Sequence, residues 1–147
     1  MPERMPEIQS MLVSMFHLRG ALCALDTALV EEVVRWRRAT RVPHAPPHVV
    51  GVINLRGKIV TVIDLGRKLD LGEIQPTEDS RLYIVRDQDE AVGLLVDRSA
   101  DVIEMEPAEL EPPPANVRGA EGRFFRGVGR AAGRLVALLD PAEALSL

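Results

Sequence analysis

Residues 51–65 read GVINLRGKIVTVIDL. Aliphatic and β-branched residues fill both halves of this stretch, and the segment Asn54-Leu55-Arg56-Gly57 separates them. Residues of this type are typical of strands, and a short connection that ends in glycine favours a tight turn between antiparallel strands. The stretch therefore predicts a β-hairpin.

Other short aliphatic runs continue this pattern along the chain. They lie at residues 12–18, 49–55, 59–65, 82–85, 91–96 and 135–139. Runs of this length, separated by polar or glycine-containing segments, indicate strands rather than amphipathic helices. Helix is predicted at residues 27–33, 107–110 and 141–147, and Asp140 and Pro141 are suited to begin the last of these. The sequence therefore predicts an all-β, or at least mainly β, fold with short helices, one of them at the C-terminus.

The chain also contains an internal repeat. When Gly51 is placed on Gly127, residues 51–69 fall on residues 127–145, and glycine, aliphatic residues, aspartate and leucine recur at the same positions. A second, weaker correspondence pairs residues 16–33 with residues 85–103. Self-similarity of this kind indicates a duplicated structural unit.

A duplicated β unit has a consequence for domain organisation. One unit of about 60 residues buries too little surface to be stable alone, so two such units are expected to pack together. We expect a single domain over residues 11–147 that consists of two small five-stranded barrels, at about residues 16–70 and 81–139. Residues 71–80 are the expected junction, and the proline-rich residues 111–122 are expected to be irregular.

Composition narrows the classes of partner and compartment. The chain has 147 residues, with 18 Lys and Arg against 22 Asp and Glu, for a net charge of -4. This charge repels phosphate backbones and anionic lipid, so neither nucleic acid nor a membrane surface is expected as a partner. The single cysteine cannot form an internal disulfide, and no run approaches the ~18 apolar residues that a membrane span needs. A reducing cytoplasm fits best.

Two motifs suggest a phosphate-binding loop and a metal site, but neither motif meets the requirements of that site. The glycines of residues 51–58 are separated by five residues, and Ile59 follows the lysine, whereas a phosphate loop needs four and then Ser or Thr. His44 and His48 have the spacing of two metal ligands on one helical face, but Pro46 and Pro47 lie between them. No cofactor or metal site is predicted.

Catalytic residues are missing as well. No serine lies in a Gly-x-Ser-x-Gly motif, and Asp26, the nearest charged neighbour of Cys23, would raise the pKa of that thiol rather than activate it. Asp64 and Asp140 occupy equivalent places in the repeat, which is typical of turn or cap residues. The sequence predicts no catalytic site and hence no enzyme.

A basic segment at residues 35–41 contains the only tryptophan, Trp36. Such a segment could bind RNA through charge and stacking, yet β-rich RNA readers normally use several aromatic residues, and this chain is 3% aromatic. Contact with an acidic partner, or a solvated surface, is the favoured interpretation, and an interaction module for RNA is the alternative.

Arg56 lies at the tip of the first hairpin, where the second repeat has Ala132. Because symmetric structure predicts symmetric turns, the difference indicates either a role in binding or a brace for a neighbouring carboxylate. Loops on rigid β scaffolds often carry contacts. Both interpretations of Arg56 stay open.

Three stretches together resemble a known family. Residues 51–65 closely resemble the signature of CheW-type chemotaxis coupling proteins. Residues 91–97, followed by residues 101–103, resemble the second conserved stretch of that family, and residues 133–140 resemble its closing hairpin. The three motifs occur in the family's order and extend along nearly the whole chain.

The resemblance implies a fold and an activity. It implies two SH3-like five-stranded barrels, no enzymatic activity, and an adaptor that bridges the cytoplasmic tips of methyl-accepting chemoreceptors to the regulatory domain of a CheA-type histidine kinase. Such a protein is cytoplasmic and is recruited to membrane-associated receptor arrays.

The resemblance also implies two contact surfaces. Kinase contact falls on Glu31, Glu32 and Val33. Receptor contact falls in a groove between the barrels, on Val30, Arg56 and Val92. The arginine-rich residues 35–41 are also compatible with an adaptor of a chemosensory pathway other than flagellar swimming.

Overall fold

The computed structural model describes residues 10–117 and 119–146, and nearly all of their regular structure is strand. The strands are β1 (Met11–Leu18), β2 (Ala21–Asp26), β3 (Val30–Arg35), β4 (Val49–Leu55), β5 (Lys58–Asp64), β6 (Arg81–Asp87), β7 (Glu90–Val96), β8 (Arg98–Met105), β9 (Asn116–Val117), β10 (Ala120–Glu121), β11 (Phe125–Ala131) and β12 (Arg134–Leu139). The short α-helices are α1 (Leu65–Lys68) and α2 (Pro141–Ala144), and 3₁₀ turns occur at Thr27–Leu29, Pro107–Glu109 and Gly122–Phe124. The predicted mainly β fold is confirmed.

Ten of these strands form two five-stranded sheets. The β3 sheet has the order β3-β6-β7-β5-β4, and the β8 sheet has the order β8-β1-β2-β12-β11. Strand neighbours are antiparallel except for one parallel pair in each sheet, β5 with β7 and β12 with β2. The two sheets therefore have the same topology, in which β3 corresponds to β8 and β4 to β11.

Each sheet closes on itself through a single bridge. The backbones of Thr40 and Val52 exchange two hydrogen bonds of 2.8 Å, and those of Glu111 and Val128 exchange bonds of 2.8 and 2.9 Å. A glycine lies beside each bridge because the crossing chain comes close. A Cβ at Gly51 would lie 2.2 Å from the Thr40 carbonyl oxygen. The recurring glycine of the repeat is thus a requirement of barrel closure.

The repeat is visible in the structure, but its strands are exchanged. Each half of the chain runs through a hairpin, three further strands of a five-stranded unit and a short helix. The hairpin β1–β2 joins the sheet that holds β11 and β12, and the hairpin β6–β7 joins the sheet that holds β4 and β5.

The expected barrel boundaries, residues 16–70 and 81–139, are therefore wrong. The chain crosses between the sheets at residues 27–29 and at Asp97, whereas residues 71–80 connect two elements of the β3 sheet. The physical reason is that a repeat pattern is identical whether a hairpin packs on its own unit or on the other one. Self-similarity alone contains no information about this choice.

The predicted hairpin is confirmed, and it is one of four in the two five-stranded sheets. All four have two-residue turns in which both φ angles are positive, at Arg19–Gly20, Arg56–Gly57, Gln88–Asp89 and Ala132–Gly133. Paired positive φ values are those of type I′ turns, whose twist matches antiparallel strands. In the turn at Arg56, the Asn54 side chain accepts a 2.8 Å hydrogen bond from the Gly57 N–H.

The local predictions at residues 27–33, at strand β8 and at residues 107–110 need correction. The helix predicted at residues 27–33 is only a 3₁₀ turn at Thr27–Leu29, and the rest is strand β3, whose valines pair with β6. Strand β8 was not predicted because most of its residues are exposed and show no apolar alternation. The helix at 107–110 is a 3₁₀ turn, and α2 begins at Pro141 with Asp140 as its cap, while residue 147 of that prediction lies outside the described residues.

The main hydrophobic core joins the two sheets. Its largest cluster combines buried residues of both sheets, and the Phe16 and Tyr83 rings meet across the seam at 5.2 Å. The Tyr83 hydroxyl lies 2.8 Å from Ser99 Oγ, and so ties the β3 sheet to β8. A smaller cluster fills the β8 sheet around Val13 and Leu138. Burying one such aliphatic side chain stabilises the fold by about 1.5–3 kcal/mol.

Candidate functional site

One end of the β3 sheet gathers most of the residues singled out in the sequence. Strand β5 runs parallel to β7, and β3 runs antiparallel to β6. This pairing places the turn at residues 56–57, the turn at residues 88–89 and the start of β3 at the same end of the sheet. We call this region the charged end.

Arg56 and Glu32 form an ion pair there. The Arg56 guanidinium Nη2 donates to Glu32 Oε2, although Arg56 and Glu32 are separated widely in sequence. The side chain of Arg56 is 68% exposed and that of Glu32 is 30% exposed. Arg56 therefore braces a carboxylate, as one interpretation required, and it also remains available to solvent.

Glu31 pairs in a different direction from Glu32. The register of β3 against β6 shifts between Val30 and Glu32, and the Arg86 Nε donates to Glu31 Oε1 at 2.7 Å. Both glutamates of the predicted kinase segment are thus held by arginines of the same sheet. Val33, the third residue of that segment, has an exposed side chain.

The two valines of the predicted receptor surface differ in burial. Val30 pairs with Val85, which pairs with Val92, so the three lie in one row on the face that meets the β8 sheet. Val30 is half-buried at the margin of this row, while Val92 is fully buried in a central strand. Val30 lies at the same end of the β3 sheet as Arg56, and the structure does not offer Val92 for direct contact.

Ile59 is an exposed apolar residue of the charged end that the sequence predictions overlooked. It lies opposite Asn54 in the hairpin and is 64% exposed. The signal was strand alternation in β5, where Val60 and Val62 face inward and Ile59 therefore faces outward. Ile59 borders a shallow hollow of about 500 Å³, and the hollow is lined by Lys58, Ile59, Thr61, Arg86, Asp89, Glu90 and Ala91.

Three more exposed apolar side chains lie on the β8 sheet: Leu12, Val102 and Leu135. Leu12 and Val102 belong to neighbouring strands, and Ser14, which pairs with Val102, follows Leu12 on the same face of β1. The Ser14 hydroxyl lies 2.8 Å from the Thr27 hydroxyl, in the connection that leads into β3. Leu12 and Val102 therefore lie on the same face of the β8 sheet as Ser14, whose hydroxyl reaches the connection into β3.

The described residues offer little for chemistry. Burial raises the pKa of the Cys23 thiol to about 12, so it is a core residue and not a nucleophile. Within residues 10–117 and 119–146, no three His, Cys, Asp or Glu side chains are arranged to hold a metal ion. His44 and His48 lie in an irregular loop. No helix of this part of the chain is long and apolar enough to cross a membrane.

Comparison with known proteins identifies the family. The family model of the CheW-like domain matches residues 12–147. The chain belongs to the CheW-like family. The chemotaxis protein CheW of Bacillus subtilis is 34% identical over 125 residues, which cover 85% of this chain and 80% of the relative. The CheW of Rhizobium meliloti is 34% identical over 111 residues, which cover 76% of this chain and 72% of the relative.

A solved structure agrees with this assignment. The crystal structure of the scaffolding protein TtCheW from Thermoanaerobacter tengcongensis is similar with a TM-score of 0.82 and 31% identity, and the match covers 95% of this chain and 89% of that one. The CheW-like chain is therefore a chemotaxis scaffold and not an enzyme. Its function depends on surfaces that bind other proteins.

Proposed function

We propose that this CheW-like chain couples the cytoplasmic tips of methyl-accepting chemoreceptors to the regulatory domain of a CheA-type histidine kinase, within membrane-associated receptor arrays in the cytoplasm. The observation that supports this proposal most is the Arg56–Glu32 ion pair. It joins the residue expected to bind the receptor to the segment expected to bind the kinase.

The proposed receptor surface consists of Val30, Arg56 and Ile59. Exposed apolar side chains beside a charged residue are typical of protein interfaces. An exposed ion pair contributes only about 0.2–1 kcal/mol, so a carboxylate of the receptor can replace Glu32 as the partner of Arg56 at low cost. Val92 acts indirectly in this proposal, because it supports Val30 from within the core.

The proposed kinase surface consists of Glu31, Glu32 and Val33. Val33 supplies exposed apolar area on β3, a strand at the edge of its sheet. Glu32 belongs to this surface and also holds Arg56. Release of Arg56 by a receptor would therefore change the charge presented to the kinase, and this shared residue provides a physical route between the two contacts.

Binding to the two partners can be tested separately. Co-sedimentation with receptor tips should show that Arg56→Glu weakens receptor binding by about tenfold or more, because the substitution replaces the cation that pairs with a receptor carboxylate by an anion that repels it. Arg126→Glu is the matched control, since Arg126 is an exposed arginine of the β8 sheet. It should bind receptor as the wild type does.

The kinase arm uses a different residue. Val33→Asp should weaken binding to the kinase regulatory domain and leave receptor binding unchanged. If the folded wild-type protein binds neither partner, the adaptor proposal is wrong. If Arg56→Glu binds receptor normally while the wild type also binds, Arg56 does not belong to the receptor surface and the adaptor proposal survives.

A further inference from the structure

The fold divides the basic segment at residues 35–41 between two surfaces. The Arg37 Nη1 donates to the Asn54 carbonyl oxygen at 3.3 Å, towards the hairpin. Arg38 and Arg41 instead line a groove on another side of the β3 sheet, together with Trp36. Neither Arg38 nor Arg41 forms an ion pair within the part of the chain that the structure describes.

The groove is long and partly apolar. Its main hollow has a volume of about 760 Å³, and an adjoining hollow has about 410 Å³. The two hollows share the residues Arg41, Pro47, Val49, Val50 and Arg67. Trp36 and Val50 are half-buried and pack against the main core, so they form a fixed apolar wall. A groove of this size and composition suits an extended segment of polypeptide better than a single ion.

The other charged groups of the groove are already engaged. The Arg67 guanidinium donates to the Pro47 carbonyl oxygen at 3.4 Å and pairs with Glu73 at 3.0 Å. The Asp64 carboxylate accepts the backbone N–H groups of Arg67 at 3.1 Å and Ile74 at 2.9 Å. Arg38 and Arg41 are therefore the cations that remain to meet an anionic group.

The matching region of the β8 sheet has the opposite chemistry. The chain that follows β8 carries Glu106, Glu109 and Glu111, where the chain after β3 carries arginines. The position equivalent to Arg67 is Glu143, which accepts a 2.9 Å hydrogen bond from Arg123. The same backbone thus forms without these arginines, so barrel closure does not require them.

We infer that the groove binds an extended acidic segment of a partner protein. Carboxylates of that segment pair with Arg38 and Arg41, and its aliphatic side chains pack against Trp36, Val49 and Val50. A nucleic acid is a poorer fit, because the chain has a net charge of -4 and the groove offers one aromatic side chain for stacking. This contact lies outside the proposed receptor and kinase surfaces and does not depend on them.

Trp36 makes this inference testable in solution, since it is the only tryptophan of the chain. The probe is a short, terminally blocked peptide of alternating glutamate and leucine, titrated against the full chain while tryptophan fluorescence is followed. A saturable change is expected, and added salt should weaken it because exposed charge pairs are screened. The double variant Arg38→Glu, Arg41→Glu should weaken binding by about tenfold or more.

Matched controls keep the test decisive. Arg126→Glu should bind the probe like the wild type, and a peptide of alternating lysine and leucine should not bind. The urea midpoint of each variant verifies that it is folded. The inference is overturned by no saturable change with the acidic peptide, by equal binding of the basic peptide, by undiminished binding of a folded double variant, or by tighter binding of oligouridylate.

Discussion

The β3 sheet and the β8 sheet have the same strand order and strand directions, but they differ in the residues at their matching positions. The closing glycine and the aspartate before the short helix are present in both sheets. The turn residue is Arg56 in one sheet and Ala132 in the other, although both have φ angles near 50°. The segment that follows β3 is basic, whereas the segment that follows β8 is acidic.

This difference separates the residues that the backbone needs from those that it does not. Gly51 and Gly127 recur because a crossing carbonyl leaves no room for a side chain. The β8 sheet has no arginine at the position that matches Arg56. Its turn has the same backbone conformation with Ala132, so the turn does not require an arginine. Matching positions that differ are therefore free to carry specific contacts, and in the β3 sheet they include Arg56, Arg38 and Arg41.

Cutting the chain between the repeats should have the largest effect. A cut after Gln75 leaves each fragment with a hairpin whose sheet lies in the other fragment. Neither fragment should show a folded β spectrum by circular dichroism, and mixing the two should restore it. A native-like spectrum of the first fragment alone would contradict the strand exchange.

Substitution of the two closing glycines should show unequal effects. Gly51 has a φ of +153°, and an added Cβ would lie 2.2 Å from a carbonyl oxygen, whereas a Cβ at Gly127 would lie 2.7 Å from one. Gly51→Ala should lower the free energy of unfolding by about 3 kcal/mol or more, and Gly127→Ala by about 1–2 kcal/mol. Urea midpoints measure both, and equal losses would show that the two crossings are equally tight.

The two capping aspartates should also differ. Asp64 is buried, and its carboxylate accepts hydrogen bonds from the backbone N–H groups of Arg67 and Ile74. Asp140 is half-buried and accepts a hydrogen bond from the Ala142 N–H at 2.9 Å. Burial raises the pKa of Asp64 even though these N–H groups favour its charged form, so desolvation outweighs their effect on the carboxylate. Asp64→Ala should cost about 2 kcal/mol and Asp140→Ala about 1 kcal/mol.

Asp64→Asn provides a graded control for the same comparison. Asparagine keeps one acceptor oxygen, so its loss of unfolding free energy should fall between those of the wild type and Asp64→Ala. A larger loss for Asp140→Ala than for Asp64→Ala would contradict the role assigned to the Ile74 contact.

The smallest effect should be a dependence on pH. Burial lowers the pKa of His48, with a contribution from Lys68, and burial also lowers the pKa of His17, with contributions from Arg98 and Arg134. Because both folded pKa values lie below the ordinary histidine value of about 6.5, the unfolded chain takes up protons first. Stability present above that pH should be lost as the pH falls through it towards the folded pKa values.

The variants His48→Gln and His17→Gln show how much of this pH dependence comes from the histidine beside the β3 sheet and how much from the one in the β8 sheet. The Nε2 of His48 is buried without a hydrogen-bond partner in the described part of the chain, so protonation there is especially unfavourable. His48→Gln should therefore reduce the change in urea midpoint between neutral and mildly acidic pH more than His17→Gln does. An unchanged pH dependence in both variants would assign the effect to other groups.

Much of the fold could be predicted from local patterns. Alternation and punctuation identified the hairpin at Arg56, and Asp140 with Pro141 identified the start of α2. Strand β3 was mistaken for helix because its pattern is short and mixed, and only pairing with β6 makes it a strand. The exposed Ile59 could have been found from alternation in β5, while the burial of Val92 depends on packing against the other sheet.

The sequence by itself determined the β class, the duplication, the absence of a catalytic constellation and the resemblance to the CheW-like family. These properties depend on residue types and short spacings, which a linear pattern contains. Only the tertiary structure decided which hairpin joins which sheet, that Arg56 meets Glu32, and that Arg38 and Arg41 share a groove with Trp36. Each of these depends on contacts between residues distant in the chain, and the repeat makes alternative pairings equivalent at the level of sequence.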